Sequence, residues 1–267
     1  MVNFPVWSPM ALLLSTDFDG TLTDPARPDS LCPRFFGWIE EVRRHRSLIW
    51  VINTGRDWVS LQAELLRRRV PFFPDWVILV ERHLHEVSPS GEPHPAEDWN
   101  APCDRAHAEL FDRTRSVFEK LRQDLTPFAG LELVRDVGCP LGLIAESEAQ
   151  ANAIQPLVDA AIAPHPDLAC VRNSVYFRFG HAAYTKGSAL DELGRRLDLP
   201  PALRIAAGDQ FNDLPMLRPE VAAWLICPSN AIPEVRAQVL AGGGIVAQRP
   251  YGTGVADALH QVSQSWG

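Results

Sequence analysis

No stretch of this sequence is apolar for long enough to cross a bilayer, which takes about 20 consecutive residues, so a membrane-embedded chain is not expected. Paired cysteines are missing as well: Cys32, Cys103, Cys139, Cys170 and Cys227 are odd in number, widely spaced and without a CxxC. Free thiols in a reducing cytoplasm fit that usage better than a disulfide framework or a zinc site. Basic stripes are absent too. The net charge of the 267 residues is -8, and basic residues cluster only briefly, at Arg67, Arg68 and Arg69 and at Arg195 and Arg196. Nucleic acid is therefore not an expected partner. The same acidity would repel an anionic metabolite, which could be held only by a local arrangement of metal, lysine and backbone amides. The apolar run 10–14 has no basic region before it and leads straight into Asp17 and Asp19, which reads as a buried strand rather than a secretory leader. Internal repeats, the mark of a solenoid, are not found.

What is present is a chain able to build a core, with 46% hydrophobic and 22% charged residues. Its length accommodates one core domain and a smaller module. Apolar runs at 11–16, 48–53 and 75–84 read as strands. Between them, 35–44 has helical spacing through Phe36, Ile39 and Val42, and 58–69 through Leu61, Leu65 and Leu66. Strand alternating with helix predicts an α/β fold, a doubly wound parallel sheet. The stretch 88–102 is rich in proline, glycine and acid, a boundary signal. From about 87 to 180 the pattern becomes helix, two strands, helix, two strands, an α+β insert, with Leu110, Phe111, Thr114, Val117, Phe118 and Leu121 on one helical face. Alternation returns with a helix over 186–197, strands at 203–207 and 221–227, and a helix over 255–262. The expected division is a core of 1–86 and 181–267 with an inserted domain of 87–180.

Chemistry concentrates at the strand ends. Asp17-Phe18-Asp19-Gly20-Thr21-Leu22-Thr23 follows the first apolar run and sets two carboxylates at i and i+2. Such groups are costly to bury without a cation or hydrogen bonds. An acidic turn bent at Gly20 accounts for one of them comfortably and for both poorly. Gly208-Asp209-Gln210-Phe211-Asn212-Asp213-Leu214 also follows a strand and precedes a helix, where alone it reads equally as an Asx turn and helix N-cap. In an open parallel sheet the carboxyl ends of the strands line one crevice, so Asp17, Asp19, Asp209 and Asp213 can converge there. Four carboxylates repel without a cation, and Mg2+, which favours oxygen ligands, is the expected cofactor. Thr54-Gly55 ends a further strand with a hydroxyl and backbone amides suited to a phosphate oxygen, although alone it is more often an N-cap. Lys186 opens a helix. A single lysine is ordinarily solvated, and its case rests on a phosphate needing positive charge beside so many carboxylates.

Taken in order, the four motifs resemble those of the haloacid dehalogenase-like (HAD) superfamily: DFDGTLT its first, the Thr of VINTGR its second, the Lys of YTKGSAL its third and GDQFNDLPML its fourth. The insert between the second and third resembles the α+β cap of the Cof-like and sugar-phosphate phosphatase branch, as do Asn230-Ala231 and Gly254-Val255-Ala256 near the end. Glu81-Arg82 departs from the Asn-Gly that many Cof-like relatives carry before the cap. The resemblance implies a Rossmann-like core, a cytoplasmic Mg2+-dependent phosphatase, and a small phosphorylated metabolite, a sugar phosphate foremost, as substrate. It assigns Asp17 the attack on phosphorus, giving an aspartyl-phosphate. Asp19 would hand a proton to the leaving oxygen and later take one from water. The metal would be held by the Asp17 carboxylate, the Asp19 main-chain carbonyl and Asp209, with Asp213 direct or through water. Thr54, the Gly55 amide, Lys186 and Asn212 would grip phosphate oxygens. A sugar phosphomutase shares the first motif and a similar cap, and a catalytically silent phosphate- or sugar-binding regulator could use the same scaffold.

Within the insert, Val171, Val175, Phe177 and Phe179 alternate with Arg172, Ser174, Tyr176 and Arg178, which reads as one half-buried strand with Arg172 and Arg178 together on its polar side. Those arginines are the cap's candidates for touching substrate, against the simpler reading of a solvated face. His83, His85 and His94 fit no compact zinc spacing and read as surface or hinge residues. Arg56 and Asp57 read equally as a local helix-start pair or as substrate contacts. The eight tryptophans read mainly as packing.

Overall fold

A computed structural model describes residues 11–24, 26, 27, 31–136 and 138–266. Residue 10 of the predicted apolar run lies outside them. The chain forms two compact units: residues up to 96 together with those from 186 on, and 97–185. Among the described residues no helix is long and apolar enough to cross a membrane.

The first unit begins with β1 (Leu12–Thr16), buried along its whole length. Helix α1 (Pro33–His45) starts on a proline and ends on Arg43, Arg44 and His45, cations placed where the helix dipole is negative. It buries Phe35, Phe36, Trp38, Ile39 and Val42. Strand β2 (Leu48–Asn53) follows, then α2 (Trp58–Arg67), capped by the Asp57 carboxylate accepting from the Ser60 N–H at 2.7 Å. The strand predicted over 75–84 is in fact two. β3 (Trp76–Leu79) turns back into the antiparallel β4 (His83–Val87). No glycine, proline or asparagine marks the reversal. Val80 and Glu81 make it instead, with φ of 45° and 69°. β5 (Pro93–Pro95) pairs with β4, so residues 87–96 stay with this unit.

The second unit opens with α3 (Glu97–Arg113) and α4 (Arg115–Asp124). Their apolar positions form the single face expected, but Thr114 interrupts the helix, its hydroxyl donating to the Leu110 carbonyl at 2.7 Å. β6 (Glu132–Asp136), β7 (Cys139–Ile144), α5 (Glu148–Ile162), β8 (Leu168–Asn173) and β9 (Tyr176–His181) complete it. The antiparallel sheet has the order β6-β7-β9-β8. Phe177 and Phe179 are fully buried in a core with Phe118, Leu143, Ile154 and Val158.

The stretch expected as one strand, 171–179, is the β8–β9 hairpin, turning at Ser174 with φ of 52°. The pairing sets Arg172 opposite Phe177 and Val171 opposite Arg178. Directly opposed residues share a face, so the turn inverts the parity of the alternation and Arg172 and Arg178 lie on opposite faces. Arg172 stacks on Phe177 and is held by Asn152 (2.7 Å), the Ser174 carbonyl (2.6 Å) and Glu148. Its guanidinium thus ties the hairpin to α5. Arg172→Ala is expected to lower stability by about 1–2 kcal/mol, measurable by denaturant melts; an unchanged midpoint would rule the tie out.

The chain then returns to the first unit through α6 (Lys186–Arg196), β10 (Arg204–Ala207), β11 (Trp224–Cys227), α7 (Pro233–Ala241), β12 (Ile245–Val246) and α8 (Tyr251–Gln264). The sheet has eight strands in the order β12-β11-β10-β1-β2-β3-β4-β5, parallel from β12 to β3. Strand order reverses between β1 and β10. At such a switch point the loops leaving two neighbouring strands diverge and open a crevice at their carboxyl ends.

Candidate active site

Asp17 is the first residue past β1, and its N–H donates to the Ala207 carbonyl of β10 at 2.9 Å. Asp209 lies two residues beyond the end of β10, so the switch point brings them together although 191 intervening residues separate them in sequence. Oxygens of Asp17, Asp209 and Asp213 fall within 4.8 Å of one another, all three residues buried. The loop geometry around them depends on Gly20, whose φ is 85° and where a Cβ would stand 2.5 Å from an Asp209 oxygen. Thr21 fixes Asp209 by donating from its hydroxyl at 2.6 Å. Asn230 braces the loop from outside, donating to the Gly20 carbonyl and accepting from the Tyr251 N–H at the start of α8, each at 2.8 Å.

Lys186, fully buried, sits between two of the acids, its Nζ 2.7 Å from Asp17 Oδ1 and 2.7 Å from Asp213 Oδ1. The second oxygen of Asp213 accepts from the N–H groups of Asp209 and Gln210 at 2.8 and 2.9 Å. Burial would lower the lysine, but the Asp17 and Asp213 charges outweigh it and hold its pKa above the usual value. Burial raises Asp17 well above the carboxylate range against the pull of Lys186, with Asp213 and Asp209 adding to the rise. Asp209, in hydrogen-bond contact with Asp17, is pushed up to about 7, by burial first and then by Asp213. Three carboxylates thus face one ammonium. A divalent cation would balance the two remaining negative charges, so the donor set fits Mg2+, an ion served by carboxylate oxygens.

Asp19 stands apart from this group. Its two oxygens accept from Arg56, Oδ2 from Nε at 2.6 Å and Oδ1 from Nη2 at 2.8 Å, and Arg56 also donates to Ser60 Oγ at 2.7 Å. Thr54 is buried at the end of β2, and its hydroxyl accepts from the Arg56 N–H at 3.2 Å. Gly55 lies between them. The carbonyls of Thr54 and Arg56 in turn accept from the N–H groups of Glu81 and Val80, at 2.9 and 3.0 Å. The β3–β4 turn is thereby stitched to this loop. Asn212 donates from Nδ2 to Glu81 Oε1 at 2.9 Å, while its Oδ1 is buried without a partner.

With that geometry in hand, the comparisons with known proteins converge. The sequence model for haloacid dehalogenase-like hydrolases matches residues 152–259, which include Lys186, Asp209, Asn212 and Asp213. Over that stretch the chain is similar to haloacid dehalogenase-like hydrolases. Sucrose-phosphatase from Synechocystis, solved with sucrose and phosphate, superposes with a TM-score of 0.72 at 17% identity, over 94% of this chain and 98% of that one. A phosphatase of the HAD enzyme superfamily from Bacteroides thetaiotaomicron gives 0.61 at 21%, over 98% of each chain. A haloacid dehalogenase-like hydrolase from B. subtilis gives 0.63 at 18%, over 94% and 99%. No curated protein matches by sequence.

Of the HAD-type site residues read from the sequence, Asp17, Lys186, Asp209 and Asp213 meet directly, and Thr54 and Asn212 join them through the hydrogen-bonded loops. Asn212 lies in the loop after β10, next to Asp213. Its Nδ2 donates to Glu81, which leaves the amide oxygen as the atom without a partner. By sequence Arg56 fits a local pair or a substrate contact equally well. Asp57 is indeed the helix cap, but Arg56 reaches 37 residues back to Asp19. The signal for Glu81 in the sequence is its departure from Asn-Gly in a turn that needs positive φ. His83, His85 and His94 do not converge: the register places His94 opposite Glu86, on the face away from His83 and His85.

Proposed function

We propose that the protein is a Mg2+-dependent phosphatase acting on a small phosphomonoester, a sugar phosphate or related metabolite, through an aspartyl-phosphate on Asp17. The observation that carries this reading is the buried Asp17–Lys186–Asp213 chain with Asp209 against it, next to an Asp19 whose carboxylate is kept out of the cluster. The carboxylates of Asp17, Asp209 and Asp213, with the Asp19 main-chain carbonyl, would hold the ion. When bound, Mg2+ supplies charge neutralisation for the phosphoryl oxygens.

An oxygen of Asp17 attacks phosphorus, needing no base because it is used as the carboxylate, and the bond to the ester oxygen breaks. Lys186 holds that nucleophile through its other oxygen and, with Thr54 and the Gly55 amide, contributes positive charge and donors to the phosphate. Asp19 gives its proton to the departing oxygen. A water then attacks the aspartyl-phosphate, Asp19 takes its proton, and inorganic phosphate leaves. Arg56 pairs with both oxygens of Asp19; for the first half Asp19 must carry a proton and turn away from Arg56. In the cap unit, Arg178 is the arginine we retain for substrate contact.

The test is release of inorganic phosphate from a panel of sugar, polyol and other metabolite phosphates, with and without Mg2+ and without any bisphosphate activator. Mg2+-dependent release is expected. Phosphate migration within the substrate, or no release from any ester, would count against the proposal.

A further inference from the structure

Glu81 is held in place more firmly than a surface turn residue needs to be. A β-branched residue at positive φ is unfavourable, and Val80 adopts φ of 45° next to Glu81 at 69°, in a turn where Asn-Gly would form without strain. Strain of this kind persists only where surrounding contacts over-determine it. Here they do: the two residues donate their N–H groups to the Arg56 and Thr54 carbonyls, and Glu81 Oε1 accepts from Asn212. The same carboxylate is close enough to Lys186 to act on its charge. Glu81 is half-buried, and among the described residues its Oε2 has no hydrogen-bond partner.

We infer that Glu81 is a specificity-determining residue, a fixed negative charge at the rim of the phosphate site that favours neutral hydroxyl-bearing leaving groups and rejects those carrying a carboxylate or second phosphate. The inference rests on the phosphatase reading above. Glu81 Oε2 stands without a donor among the described residues, and Asn212 Oδ1 beside it is buried without one. A sugar or polyol brings hydroxyl donors. An anionic leaving group, whatever hydroxyls it keeps, adds like charge beside this half-buried carboxylate, where repulsion is less screened than in open solvent. Discrimination by such repulsion costs the favoured substrate little.

The experiment measures kcat/KM for glucose 6-phosphate and for 3-phosphoglycerate, in the wild type and in Glu81→Gln, which removes the charge and can still accept from Asn212. Glu81→Asn is the second variant, chosen because asparagine tolerates positive φ. The expected result is a preference for the sugar phosphate in the wild type that shrinks about tenfold or more in both variants. A ratio that stays within about threefold of wild type in a folded variant would overturn the role of Glu81. If the wild type hydrolyses neither these esters nor any of the panel, the phosphatase reading itself fails, and that outcome is distinct from an unchanged ratio.

Discussion

Asp17→Asn should abolish phosphate release, by about 10⁴-fold or more, and leave the protein folded. The size of the effect follows from the role: a carboxamide cannot form the acyl phosphate, so the covalent route is lost rather than slowed. Its effect on stability should run the other way. Asp17 is buried beside Asp209 and Asp213, and in metal-free protein its charge is among the costs of folding. Removing it should leave the melting temperature in EDTA at or above that of the wild type, while circular dichroism stays the same. Near-normal turnover in this variant would take Asp17 out of the mechanism. Lost turnover with lost folding would point instead to Lys186, whose ammonium would then have only Asp213 to pair with.

Stability should depend on pH in a way that divalent metal cancels. Burial and then Asp213 push Asp209 from 3.8 up to about 7, so between those values the folded state holds a proton that the unfolded chain has released. The contribution of this group to stability is therefore greatest below the unfolded value, declines as pH rises, and has been lost once pH passes the folded value. If the whole shift is realised, the loss is about 4 kcal/mol. Asp17 is raised for the same first cause, burial, and acts with the same sign. In EDTA the melting temperature should fall between pH 5 and pH 8, and Asp209→Asn should flatten that fall. Mg2+ takes the place of the proton: at a hundredfold excess over its Kd it should restore about 2.7 kcal/mol at pH 8, and much less at pH 5. Equal melting temperatures with EDTA and Mg2+ at both pH values would mean that the acids do not bind the ion.

The core elements that carry the site were legible because each combines a buried apolar run with an abrupt change to acid, glycine or hydroxyl. β2 matches its predicted bounds, and β1 and β10 differ by a residue at one end. Reversals made by ordinary side chains were not legible. The β3–β4 turn uses Val80 and Glu81, and β8–β9 turns at Ser174, so each hairpin read as one long strand. The second misreading mattered for function, because a strand's alternation assigns faces only until the chain turns. Arg172 was placed beside Arg178 on that basis, and the register separates them. Likewise Arg56 could not be separated from its neighbour Asp57 by local sequence, since its partner lies in another loop. Pairings made through tertiary structure leave no periodic trace.

The position of β1 also sets an order on how this chain can assemble during synthesis. One neighbour, β2, follows within a few dozen residues, whereas the other, β10, emerges only after the whole inserted unit has been made. At about 5–20 residues per second that gap lasts roughly 10 to 40 s. Throughout it a strand that is buried along its whole length in the finished fold keeps an unpaired edge. A ribosome-bound nascent chain halted before residue 204 should therefore lean on chaperones, and its aggregation should cease once the late strand is free to dock.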